Sequence, residues 1–161
     1  MNLAVTNKST VSRVMSQSNN GALPLRYPFS IGGKESDVKI VSDPRSHKGM
    51  FEHSKDFLIP IGTPLLANKS GKVIHVDDSH PDHHPSRSVI KFLDKGQIDT
   101  AVPANEILVL DDDGNIHQYL HVKHGSSRFK NGDKFKAGDV IAESGHNGNS
   151  TAPHLHYTLF R

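Results

Sequence analysis

The chain has 161 residues, enough for one domain with a real core, and its 34 % apolar and 6 % aromatic content without Trp predicts a modest, aliphatic one. The 19 Lys and Arg against 17 Asp and Glu leave a net charge of +2, and the basic residues are scattered, which argues against a nucleic-acid partner. With no cysteine, disulfides, thiolate zinc sites and a cysteine nucleophile are excluded together, and an oxidising compartment is compatible.

Residues 1–21 are rich in Ser, Thr and Asn without apolar periodicity and read as a flexible lead-in, with residues 22–161 as the folded domain. The first twenty residues lack the apolar heart of a signal peptide, and no stretch approaches the ~18 apolar residues of a membrane span. Gly32-Gly33-Lys34 fails as a phosphate loop, because no upstream glycine sits at the required spacing and no Ser or Thr follows the lysine. A turn is the better reading, followed by a strand over 37–42.

Residues 45–52 read as a loop, Lys55-Asp56-Phe57-Leu58-Ile59-Pro60 as a strand ended by proline, and Gly62-Thr63-Pro64 as a turn. Strands are expected at 65–67 and 72–76 about a Lys69-Ser70-Gly71 turn. Residues 77–88 carry His80, His83 and His84, but two prolines in a Ser/Asp-rich stretch favour a solvated surface loop over a metal site.

The clearest hairpin joins 107–110 to 116–122 through Asp111-Asp112-Asp113-Gly114-Asn115. A calcium loop is rejected there: Ile116 occupies the glycine position and no glutamate closes it. On the return strand Ile116, Gln118, Leu120 and Val122 share one face, and His117, Tyr119 and His121 the other. A polar turn region spans 130–138, and 139–142 form another strand. Near the end, Gly148-Asn149-Ser150-Thr151-Ala152-Pro153 leads into a strand over 154–160, on which His154 and His156 project from one face and Leu155 and Tyr157 from the other. No window shows capped helical spacing, so the fold class is mainly β, a single domain of antiparallel sheet with few or no helices.

Ser150-Thr151-Ala152-Pro153-His154-Leu155-His156-Tyr157, together with Tyr119-Leu120-His121 and Asp56-Phe57 followed by Gly62-Thr63-Pro64 and Ala67, resembles the lysostaphin-type (LytM-like) zinc endopeptidases over about residues 46–160. The resemblance implies an antiparallel β-sheet groove that accepts an extended peptide, with peptidoglycan cross-links as the usual substrate and an extracellular or periplasmic location. It also implies one Zn2+ per chain held by a histidine from the first segment, Asp56 and His156, with His121 and His154 unligated beside it as catalytic residues. The chemistry is coherent: two histidines and one carboxylate leave a tetrahedral zinc an open position, and neutral imidazoles beside it suit proton transfer.

The family spaces its first His and Asp four apart, whereas Glu52 stands four before Asp56 here. His47 and His53 compete for the place; His53 on a strand would point away from Asp56, so His47, in the phrase Ser46-His47-Lys48-Gly49, is favoured. His75, His117, His124 and His146 read as surface or supporting residues. Two rival readings are a LytM-like module that binds cell wall or a partner hydrolase without cutting, and a biotinyl- or lipoyl-type carrier suggested by Lys136-Ala137-Gly138-Asp139-Val140. The full set of candidate ligands disfavours the first, and the absence of a lysine at an exposed hairpin tip disfavours the second.

Overall fold

The computed structural model describes residues 27–32, 37–42, 44, 47–89 and 101–161; the expected lead-in at 1–21 and the Gly33-Lys34 turn lie outside them. Nine strands form among the described residues: β1 Lys39–Val41, β2 Lys55–Leu58, β3 Pro64–Leu66, β4 Gly71–Asp77, β5 Glu106–Asp111, β6 Ile116–Leu120, β7 Lys134–Phe135, β8 Val140–Glu143 and β9 Leu155–Phe160. A 3-10 turn at Gly49–Phe51 lies inside the stretch expected to be loop.

Seven strands make one sheet in the order β1-β2-β9-β6-β5-β4-β7, every pairing antiparallel, and β3 with β8 forms a second layer. Period-two alternation explains how the layers stick. On the inner face of the large sheet Phe57, Leu155, Tyr119, Ile107, Val109 and Val73 are buried, and they meet Leu65, Ile141 and Ala142 of the small sheet. Each fully buried aliphatic or aromatic side chain contributes ~1.5–3 kcal/mol. Tyr119, with no exposed surface, also donates its hydroxyl to Leu66 O at 2.9 Å, tying the two layers by a bond as well as by packing.

Strands β3 and β4 flank the Lys69-Ser70-Gly71 turn but do not pair with each other: β3 pairs β8, and β4 pairs β5 and β7. Leu65 and Ala67, both fully buried, cover the inner face from the second layer, so the turn carries the chain between layers. A register shift between Val73 and His75 bulges β4 at Ile74, which keeps Val73 opposite Val109 and Val76 opposite Ile107 on the core side. The short β7 lies within the expected turn region because Phe135 buries itself against the core there.

The Asp111–Asn115 hairpin forms as its residues predict. The Asp111 carboxylate accepts the backbone N–H groups of Asp113 at 2.9 Å and Asn115 at 2.8 Å, so its charge is consumed by the turn.

Candidate metal centre

The register of β2, β9 and β6 builds the outer face. Asp56 pairs with His156, and His156 with Leu120, so Asp56 and His156 stand side by side on the face away from the core. His156 Nδ1–H donates to Asp56 Oδ1 at 2.8 Å. His47 folds back from the loop before the 3-10 turn, placing Nε2 3.1 Å from Asp56 Oδ2 and its ring 5.0 Å, edge-on, from that of His156. One donor atom from each of His47, Asp56 and His156 lies within 4.8 Å of the others, and no further cluster of this kind occurs among the described residues.

His53 has an 86 % exposed side chain and leans toward Glu52 at 3.2 Å, away from Asp56. His47 has a 1 % exposed side chain, and its Nε2 is buried without a hydrogen-bond partner. A buried imidazole nitrogen left unsatisfied while facing a carboxylate is what a divalent cation would correct. The residues present therefore fit a zinc ion with two nitrogen donors, one oxygen donor and a vacant fourth position.

His121 and His154 stand beside this cluster, their rings 4.5 Å apart. His154 Nε2 is 3.9 Å from Asp56 Oδ1, while its Nδ1–H donates to Ala152 O at 2.8 Å with Ser150 Oγ 3.1 Å away. His121 reaches the site by a route that alternation does not describe. Counting by twos puts it on the Tyr119 face, toward the core. It is instead the one non-glycine residue with a positive φ among the described residues, at 63°, and this turn after β6 swings its ring to the outer face. The left-handed conformation costs about 1–2 kcal/mol. Hydrogen bonds on both sides of the residue offset it: His121 N–H to Asn105 O at 2.9 Å, Gly145 N–H to His121 O at 2.8 Å, and His121 Nδ1–H to Asn147 O at 2.7 Å.

With both Nδ1 protons fixed on carbonyls, the Nε2 lone pairs of His121 and His154 are left for chemistry. Burial pushes the His121 imidazolium well below its ordinary range, with help from the nearby His154 and His156, so the ring is neutral. Burial also lowers His154, against the opposing pull of the Asp56 charge. Burial raises the Asp56 carboxyl, but the His156 hydrogen bond and the electrostatic influence of the surrounding imidazoles outweigh it and leave the group lowered and ionised.

Several supporting residues escape a sequence reading. Asp82, from the loop expected to be solvated, accepts His146 N–H at 2.7 Å, the Asn147 side chain at 2.9 Å and His124 N–H at 3.0 Å. The buried Asn105 side chain takes His80 N–H at 2.8 Å and donates to His80 O and Val122 O. The 77–89 loop is thus stitched to the segment that carries His121 while Ser79, Pro81 and residues 84–88 stay exposed, as a surface loop would be. His80, His83 and His84 do not converge on a common point among the described residues. Two of the histidines read as surface or supporting are buried: His146, with no exposed surface, and His117, which joins Asp111 at 3.0 Å and Tyr157 at 2.6 Å behind the sheet. Glycine is required where the site wall is tightest. A Cβ on Gly145 would lie 2.6 Å from Lys123 Cα, and Gly148, at φ +67°, would place one 2.4 Å from Ala104 Cβ.

No helix of the described residues is long and apolar enough to cross a membrane. Comparison with known proteins agrees with this geometry. Lysostaphin of Staphylococcus staphylolyticus is 31 % identical over 114 residues, 71 % of this chain and 19 % of its own length. The glycyl-glycine endopeptidase ALE-1 of Staphylococcus capitis is 29 % identical over 160 residues, 93 % of this chain and 34 % of its own length. The chain thus spans about a fifth to a third of the length of these curated relatives. Among solved structures, a zinc-containing peptidase from Vibrio cholerae is similar with a TM-score of 0.57 at 25 % identity, covering 85 % of this chain and 36 % of that one. The family model of Peptidase family M23 matches residues 47–161, a span that opens on His47 and takes in Asp56, His121, His154 and His156, and the chain belongs to that family.

Proposed function

We propose that the chain is a zinc-dependent endopeptidase that hydrolyses peptide bonds in bacterial peptidoglycan cross-links, acting outside the cytoplasm. The observation that carries the reading is the convergence of His47, Asp56 and His156 within 4.8 Å, with two neutral histidines at its edge. Names among the relatives, lysostaphin and a glycyl-glycine endopeptidase, support a short peptide cross-link as substrate.

His47, Asp56 and His156 would hold one Zn2+ per chain. When bound, the ion supplies Lewis acidity toward a water and the scissile carbonyl. The chain's own residues do the rest. His154, whose Nε2 faces Asp56 at 3.9 Å, takes the proton released as water attacks and returns it to the departing amine. His121, its Nδ1–H held on Asn147 O, presents a second bare Nε2 at the reacting centre, where it accepts a hydrogen from the attacking water and so orients it. Asp82, Asn105 and Asn147 hold the His121 turn in place.

Mass spectrometry of the muropeptides released from purified cell walls tests the proposal. Wild-type protein should generate fragments with new amino termini at cross-link peptide bonds, and His121→Ala should generate few. Walls left intact by zinc-loaded wild-type protein would refute it.

A further inference from the structure

Behind His156 lies a pair of buried hydroxyls. Thr158 follows His156 by two positions on β9 and so shares its face, and its Oγ1 is 3.4 Å from His156 Nε2. That Oγ1 is in turn 2.7 Å from Ser54 Oγ, just before β2. Ser54 is fully buried and Thr158 is 1 % exposed, so water cannot substitute for either contact. A neutral imidazole carries one ring proton. On His156 it sits on Nδ1, donated to Asp56 Oδ1 at 2.8 Å. To offer Nδ1 as a metal donor the ring must carry that proton on Nε2 instead. The acceptor beside Nε2 is Thr158 Oγ1.

We propose that Thr158, backed by Ser54, is a positioning residue that lets His156 exchange its two tautomers and so present Nδ1 to the metal. This rests on the reading of His156 as a zinc ligand. A hydroxyl suits the task because it serves as donor or acceptor by rotating one hydrogen. With Nε2 bare, Thr158 Oγ1–H points at it. With Nε2 protonated, Thr158 accepts and turns its own hydrogen to Ser54 Oγ. Nε2 thus keeps Thr158 Oγ1 as its partner in both tautomers. His47 is held in a parallel way, with Ser42 Oγ 3.1 Å from Nδ1 and Nε2 left facing Asp56. Outer partners of this kind typically change metal affinity 10- to 100-fold.

The test is zinc affinity of the full chain, measured by competition with a chromophoric chelator and so independent of turnover. Thr158→Val keeps the shape and removes the hydroxyl, and should weaken zinc binding about 10- to 100-fold. Thr158→Ser should restore most of the affinity, and Ser54→Ala should give an intermediate loss. Nitrogen NMR of the zinc-loaded wild type should find the His156 ring proton on Nε2. Unchanged affinity in Thr158→Val, or equal losses in the Val and Ser variants, would overturn the proposal, the latter by pointing to packing. Wild-type protein that binds no zinc would instead sink the reading of the site on which the inference stands.

Discussion

Two histidine–aspartate pairs stand on opposite faces of the same sheet, and they have opposite fates. In front, His156 meets Asp56 at 2.8 Å; behind, His117 meets Asp111 at 3.0 Å. The rear pair is saturated. His117 Nδ1 contacts the Tyr157 hydroxyl at 2.6 Å, that hydroxyl also accepts from Asn68 at 3.2 Å, and Asp111 accepts the Asn115 side chain besides two backbone N–H groups. The front pair has donors to spare: His47 Nε2 is buried without a partner, and His154 and His121 aim unprotonated nitrogens nearby. A buried imidazole beside a carboxylate is therefore scaffold when every atom is satisfied, and a reactive centre when some are not.

The comparison breaks most sharply on metal. Asp56→Ala should lose bound zinc and all measurable turnover, whereas His117→Ala should keep zinc at wild-type stoichiometry. The rear variant should appear in denaturant titration as a stability loss of about 2 kcal/mol, the scale of one hydrogen bond to a charged group. Next in size are the two unligated histidines. His121→Ala and His154→Ala should each retain zinc while kcat falls about 10²–10⁴-fold, measured as release of new amino groups from peptidoglycan. Loss of zinc in either would make it a ligand and redraw the centre.

Acidity separates the faces more gently. His121 and His154 are held below the ordinary imidazole value of 6.5. As bases they must be neutral, so kcat/KM should stay level down to about pH 6.5 and fall only in more acid solution. For the metal-free protein the sign follows from linkage. Because the folded values lie below the unfolded ones, the unfolded chain binds protons first as pH falls. Stability is then lost below pH 6.5, seen as a falling Tm between pH 7 and 5. The smallest effect belongs to Tyr157→Phe, which removes the hydroxyl between His117 and Asn68 and should cost about 1 kcal/mol without touching zinc content.

Alternation and turn chemistry made much of the molecule legible from the chain alone. The β5–β6 hairpin follows from its Asp-Gly turn, and β9 from the alternation of Leu155 and Tyr157 with His154 and His156. Thr158 continues that face and could have been read from the same period. What stayed hidden depends on distant partners. The β3–β8 pairing joins segments some seventy-five positions apart, and nothing local announces it. His121 was legible as a residue type but not in direction, because a positive φ at a histidine is set by Asn105, Asn147 and Gly145 rather than by its neighbours in sequence. Loop 77–89 looked solvated because its composition is polar. Asp82 instead spends its carboxylate on the 124 and 146–147 backbone and side chains, a use that composition does not reveal.

The most direct test of a three-donor centre is removal and return of the metal. Dialysis against chelator should bring the chain to zero zinc and zero peptidoglycan cleavage while it stays folded, and about one equivalent of zinc should restore both. Cleavage that persists at full rate in metal-free protein, or zinc that remains bound at full stoichiometry after His47, Asp56 and His156 are all replaced by alanine, would contradict the account.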